Sequence, residues 1–187
     1  MTLVGSGEPE EVMWQGRFVE VRRRGKWEYA GRPGGVRAAV ILAIDNGHVI
    51  LCEQYRVPLG RRCIELPAGL IGDGDDPDEP PEIAAARELE EETGYRAANV
   101  ESLGEFWSSP GMLTESFTLV RATGLTRVGA GGGTESEDIT VHRVPLAGLE
   151  EFLAQRRAAG DAIDVRILLL LGRKLIEGTN DGGTGSG

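Results

Sequence analysis

Cysteine is scarce: two thiols, Cys52 and Cys63, stand in a chain of 187 residues. That is too few for a disulfide framework or a zinc cluster. Both lie in apolar or strand-like runs, ILCEQY and CIELP, and read as packed core thiols. Positive charge is also in deficit, with 20 Lys and Arg against 30 Asp and Glu and a formal net charge of −10. This balance argues against a non-specific DNA or RNA binder, which displaces counterions with basic side chains. It does not exclude a substrate that carries phosphates, provided a cation sits between. Long apolar runs are missing. The longest, ILLLL at 167–171, falls far short of the ~20 residues of a membrane span. The opening MTLVGSGEPEE has no apolar segment of the kind a signal peptide needs. A cytoplasmic protein with neither a membrane nor a nucleic-acid partner is expected. What is present is a globular composition, 40% hydrophobic, long enough to bury a real core as one domain.

The two ends are rich in Gly, Ser and Thr. Residues 1–10 and 178–187 (GTNDGGTGSG) are expected to be flexible. Between them, 17–22 (RFVEVR) and 26–31 (KWEYAG) alternate like paired strands, and 11–35 is assigned to N-terminal strands. The main domain is assigned to 36–177. GVRAAVILAI (35–44) reads as a buried strand, Asp45-Asn46-Gly47 as a hairpin turn, and HVILCEQY as the returning strand. CIEL (63–66) is another short strand. It is followed by a loop, GLIGDGDDPDEP, crowded with Gly, Pro and Asp. A helix then starts at Pro80-Pro81, with Glu82 in its first turn and Gly94 at its end. Ile83, Ala84, Ala86 and Leu89 can supply its buried stripe. Strands resume near 98–107 and 115–122, a Gly-rich loop precedes DITVHRV, and helices cover roughly 146–158 and 164–176. The pattern predicts a mixed, largely antiparallel sheet flanked by helices, an α+β or α/β sandwich.

The densest charge lies at 87–94, RELEEETG. In a helix, Glu88 shares a face with Glu91 and Glu92, so three carboxylates converge on one patch. Each exposed like-charged pair costs about a few tenths of a kcal/mol, and more when half buried. A divalent cation removes that cost. Hard oxygen donors without His or Cys select Mg²⁺ or Mn²⁺ over zinc. Glu90 points elsewhere, and Arg87 is suited to hold a carboxylate by a bidentate pair. The alternative is a solvated acidic face. A calcium loop at DGDDPDEPPEIA is set aside, because it has no Gly at its sixth position and ends in Ala84 instead of a bidentate Glu.

Gly69 to Tyr95 resembles a Nudix box, whose pattern is G, five residues, E, seven residues, then R-E-apolar-x-E-E-x-G-apolar. Arg87, Glu88, Leu89, Glu91, Glu92, Gly94 and Tyr95 occupy every fixed position of its C-terminal half. The N-terminal half departs from it. Counting back from Arg87 puts Glu79 at the first glutamate; counting forward from Gly69 puts Asp75 there; the loop carries about four extra residues. IELPAGLI before the box, SSPG after it with Pro110, WEYAGR (27–32) and EQYRVPLGRRCIELPAG (53–69) are similar to the ADP-ribose pyrophosphatase branch.

The resemblance implies a Nudix α/β/α sandwich over 36–177, in the α/β class, with an N-terminal strand extension. It also implies a homodimer that exchanges those strands. The implied reaction is Mg²⁺-dependent hydrolysis of ADP-ribose, or a related ADP-sugar, to AMP and ribose 5-phosphate, with Mn²⁺ as a possible substitute. Glu88, Glu91, Glu92 and the Ala68 carbonyl are the implied metal ligands, with Arg87 among the catalytic group. A general base is implied in the mobile loop GAGGGTESED, where Glu135 and Glu137 are candidates. Trp27, Phe18 from the other subunit, and Glu28 are implied at adenine, Arg32 and Arg56 at the diphosphate, and Glu115 and Leu70 elsewhere on the substrate. Strand aromatics and surface ion pairs are the plain alternatives for these. Asp45, His48 and His142 show no catalytic pattern, and His142 reads as structural. Rival functions are a Nudix hydrolase acting on another nucleoside diphosphate derivative, such as GDP-mannose, and a Nudix regulator that binds a nucleotide without cleaving it.

Overall fold

The computed structural model describes residues 7–35, 37–72, 76, 78–134 and 137–177. At the N-terminal end, β1 (Glu10–Gln15), β2 (Glu20–Arg24) and β3 (Trp27–Gly31) form a separate antiparallel sheet in that order. Its register places opposite charges across from each other: Arg22 and Arg24 reach Glu10 at 2.7 and 2.9 Å, and Arg23 reaches Glu11 at 2.7 Å. Such cross-strand pairs help to set register. β1 begins at Glu10, inside the stretch expected to be flexible. β3 is tied to the rest of the chain by Ala30, which donates to Met112 O at 2.9 Å and accepts from Thr114 N at 3.0 Å.

The main sheet is built on β4 (Arg37–Asp45) and β5 (His48–Arg56), with β6 (Arg61–Glu65), β7 (Ala68–Ile71), β8 (Tyr95–Trp107), β9 (Ser116–Arg127), β10 (Thr140–Pro145) and β11 (Ala162–Ile163). The order is β11-β6-β5-β4-β9-β8, with β10 on β5 and β7 on β4. The β4–β9 and β6–β11 pairs are parallel and the other pairs antiparallel. The sheet is therefore mixed and largely antiparallel, as expected. The turn between β4 and β5 uses positive φ at Asn46 (48°) and Gly47 (71°), the conformation that an Asn-Gly pair favours. The loop expected from Gly69 starts later, because Ala68–Ile71 pair with Arg37–Val40 of β4.

β4 explains the layering. Ala39, Ile41 and Ala43 on one face pack with Ala84, Ala85 and Leu89 of α1 (Pro81–Thr93). On the other face Val40 packs with Leu149 and Leu153 of α2 (Leu149–Ala158) and with Ile167, just before α3 (Leu168–Glu177). Both faces are covered, which is why the strand is apolar from Ala38 to Ile44. The result is the α/β/α sandwich. On α1 the buried stripe differs from expectation: Ala84, Ala85 and Leu89 are buried, whereas Ile83 is 58% exposed. A stripe through 85, 89 and 92 carries Glu92 into the protein.

α1 ends where glycine permits. Gly94 takes φ 72° and donates to Glu90 O at 2.9 Å, a left-handed stop. The next carbonyls, which a helix cannot satisfy from within, are met by the Gly-rich segment. Gly132 N donates to Glu92 O at 2.8 Å, Gly133 N to Glu91 O at 3.1 Å, and Val128 N to Gly94 O at 2.8 Å. Gly131 has φ 69°, and a Cβ there would collide with the Thr93 backbone. The glycines thus serve close docking against α1 as well as turning. Gly131→Ala should cost more than about 1 kcal/mol in urea unfolding; an unchanged midpoint would mean that the segment is not docked in solution.

Candidate active site

α1, β7 and the Gly-rich segment meet at a cavity of about 800 Å³. Glu88, Glu91 and Arg87 line it from the helix, and Ala68, Gly69 and Leu70 from β7. Gly69 and Glu88 approach closely, so that a Cβ at position 69 would strike the Glu88 carboxyl and displace it.

Each glutamate of α1 is held differently. Arg87 donates from Nη1 to Glu88 Oε1 at 2.8 Å and lies 3.6 Å from Glu91 Oε2. Its Nη2 donates to Leu70 O at 3.2 Å and to Glu79 Oε2 at 3.3 Å. Glu79 also accepts from Gly72 N at 3.2 Å. The hydrogen bond from Arg87 keeps the Glu79 carboxyl below its usual pKa. Glu79 therefore takes the bracing position that sequence counting shared between it and Asp75, which lies outside the described residues. Glu90 turns away to pair with Arg96 at 2.8 Å. Glu92 points inward and is 7% exposed. Its Oε2 accepts from Ala68 N at 3.0 Å and stands 3.7 Å from Cys52 Sγ. Burial, with added repulsion from Glu88 and Glu137, pushes its pKa up to about 8.

Arg32, Arg56 and Arg166 line the same cavity. Arg32 Nε donates to Glu115 Oε1 at 2.9 Å, and Arg56 grips Glu65 with bonds of 2.7 and 2.6 Å. Arg166 grips Asp164 at 2.6 and 2.7 Å. Glu137 also lines the cavity, with its Oε2 accepting from Thr134 N at 2.9 Å and Thr134 Oγ1 at 3.1 Å.

The structure thus brings Ala68, Leu70, Arg87, Glu88, Glu91, Arg32, Arg56, Glu115 and Glu137 to one cavity, with Glu92 just behind it. Glu135 lies outside the described residues. Phe18, Trp27 and Glu28 do not line the cavity; they are exposed on the N-terminal unit, Phe18 at 64% and Trp27 at 51%, with Arg17 stacked on Phe18. Both cysteines are buried and free. His142 lies apart and meets buried Glu53 at 2.8 Å, in keeping with a structural part. Asp164, Arg166, Phe117 and Glu65 also line the cavity, and sequence reasoning gave none of them a role. Asp-x-Arg before a helix reads as a capping signal, and only tertiary placement shows which space it faces.

Carboxylates and guanidiniums surround one open cavity, over a sheet covered on both faces. The NUDIX domain model matches residues 33–162. The methanol dehydrogenase activator of Bacillus methanolicus is 33% identical over 157 residues, covering 79% of this chain and 82% of that protein. The ADP-ribose pyrophosphatase of Mycobacterium tuberculosis is 41% identical over 110 residues, covering 58% of this chain and 52% of that protein, so the match spans about half of it. A solved crystal structure of an ADP compounds hydrolase is 27% identical, with TM-score 0.64, covering 90% of this chain and 92% of that one. The chain belongs to the NUDIX family, as a Nudix hydrolase. No helix among the described residues is long and apolar enough to cross a membrane.

Among the described residues no three acidic, Cys or His side chains already stand in a cage for an ion. The donors nonetheless suit a hard divalent cation. They are all oxygen, and the buried Glu92 carboxyl is repelled by Glu88 and Glu137. Between the ordinary glutamate value of 4.5 and about 8, folded Glu92 holds a proton that the unfolded chain has released. Stability without metal should therefore fall as pH rises through that window. In EDTA, Glu92→Gln should unfold at a higher temperature than wild type at pH 8–9, with the gap closing toward about pH 4. A gap independent of pH would contradict the burial argument.

Proposed function

We propose that this chain hydrolyses the diphosphate bond of ADP-ribose, or of a related ADP-sugar, to AMP and a sugar phosphate. The observation that carries this reading is the single cavity shared by the carboxylates of α1 and three braced arginines. Glu88, Glu91 and Glu92, with the Ala68 carbonyl, hold a divalent cation, Mg²⁺ by preference and Mn²⁺ as a substitute. When bound, the cation neutralises phosphoryl charge and lowers the pKa of water. Arg87 keeps Glu88 and Glu91 from splaying. Arg32 and Arg56 bind phosphoryl oxygens as planar donors. Glu137 is favoured as the general base, with Glu135 as the alternative. Thr134 fixes one Glu137 oxygen, and the other has no hydrogen-bond partner among the described residues, so it can accept a proton from water.

The adenine end requires a second copy. Phe18 and Trp27, with Val12, Met13 and Trp14, leave large apolar side chains exposed on the N-terminal unit. Such a patch favours association. A homodimer joined through these strands would bring Trp27, Glu28 and the partner's face toward the nucleotide, with Glu115 and Leu70 contacting the rest of the substrate. The protein is read as cytoplasmic, without nucleic-acid or membrane partners.

Incubation with ADP-ribose and Mg²⁺ should release AMP. No AMP would leave a binder, and a higher kcat/KM for GDP-mannose in the same assay would reassign the substrate. Glu92→Gln should lower turnover by about a hundredfold or more while the protein stays folded, because several kcal/mol of charge stabilisation are lost. Trp27→Ala should raise KM for ADP-ribose about tenfold with kcat retained; unchanged KM would place adenine elsewhere.

A further inference from the structure

Arg166 is bound more elaborately than a surface arginine needs to be. Its Nε and Nη2 take both oxygens of Asp164, at 2.6 and 2.7 Å, and Asp164 Oδ1 also accepts from the Arg166 backbone N at 2.8 Å. Nη2 lies 3.8 Å from Glu65 Oε2, and the guanidinium sits 5.8 Å from the Phe117 ring centroid. Glu65 is itself buried and is gripped bidentately by Arg56. One carboxylate therefore stands between two guanidiniums, and both of them line the cavity that Glu88 and Glu91 line. Among the described residues, Nη1 of Arg56 and Nη1 of Arg166 have no acceptor. Each arginine is fixed by one carboxylate and keeps donors to spare, so a ligand anion meets a preorganised pair and little side-chain freedom is lost on binding.

We propose that Arg166 is a phosphate-binding residue that works with Arg56 across Glu65, so that the cavity takes two linked phosphoryl groups in preference to one. This rests on the diphosphate reading above and deepens it: the C-terminal segment, through Asp164 and Arg166, sets the preference for a diphosphate over a monophosphate. Asp164 is the positioning residue, since it holds the guanidinium without needing to touch the ligand. The competing reading is that Arg166 only closes the turn before α3.

The test is calorimetric binding of ADP and of AMP, in excess Mg²⁺, to wild type and Arg166→Gln. Both ligands carry adenosine, so their difference isolates the second phosphoryl group. Wild type should bind ADP more tightly than AMP. Arg166→Gln should weaken ADP about tenfold or more and AMP less than about threefold, as loss of a charge-assisted hydrogen bond predicts. Its unfolding temperature should stay within a few degrees of wild type. Equal weakening of both ligands, no weakening of either, or a wild type without preference for ADP overturns the proposal. If Arg166→Gln does not fold, Arg166→Lys serves. It keeps the charge but not the fork, and should weaken ADP selectively by a smaller factor; an unchanged ADP to AMP ratio in that variant counts against the proposal. Failure to release AMP from ADP-ribose would remove the catalytic reading while leaving this binding difference to be read on its own.

Discussion

Four glutamates within five positions of one helix repel each other, and the arrangement of the site follows from how each is held. Glu90 leaves for Arg96, Glu88 and Glu91 share Arg87, and Glu92 turns inward to the Ala68 N–H. Arg87 also bonds Leu70 O and Glu79. One guanidinium thus joins α1 to β7 and to the loop before the helix. Glu92 is left buried, and that burial, with added repulsion from Glu88 and Glu137, raises its pKa. A bound divalent ion is the natural resolution, and phosphates are the natural ligands of such an ion.

The scaffold serves this balance. β4 is apolar on both faces, so α1 packs on one side while α2 and the start of α3 pack on the other. That places the C-terminal half of α1 beside β7, and Asp164 and Arg166 at the same cavity from a distant part of the chain. The Gly-rich segment donates backbone N–H groups to the last carbonyls of α1 and then delivers Glu137. Acidic and basic groups are thereby presented to one space without neutralising each other completely: Arg32, Arg56 and Arg166 each have a carboxylate brace and, among the described residues, guanidinium donors without an acceptor.

Much of this was legible in the residues. The Pro-Glu start and Gly stop of α1, the Asn-Gly hairpin and the apolar run of β4 are local signals, set by backbone preference and periodicity. The spacing of Glu88, Glu91 and Glu92 placed three carboxylates on one face. Less legible was what depends on contacts distant in sequence. β7 looked like loop because Gly69 begins a Gly- and Asp-rich stretch, although that glycine lies close against the Glu88 carboxyl. Ile83 looked like core, but the sheet meets α1 through Ala84, Ala85 and Leu89. The glycines at 129–133 suggested mobility, whereas their lack of side chains lets the segment dock on α1. Arg166 carried only a capping signal, because its partner two residues away is local and its cavity is not.

The central claim is that the α1 carboxylates bind a divalent cation that in turn binds a diphosphate held by arginines. A crystal structure with Mg²⁺ and a non-hydrolysable methylene analogue of ADP-ribose tests it most directly. The account predicts Mg²⁺ about 2.1 Å from carboxylate oxygens of α1, with the same phosphoryl groups in contact with Arg56. A nucleotide bound without Mg²⁺ at Glu88, Glu91 and Glu92, or Mg²⁺ bound away from them, would contradict it.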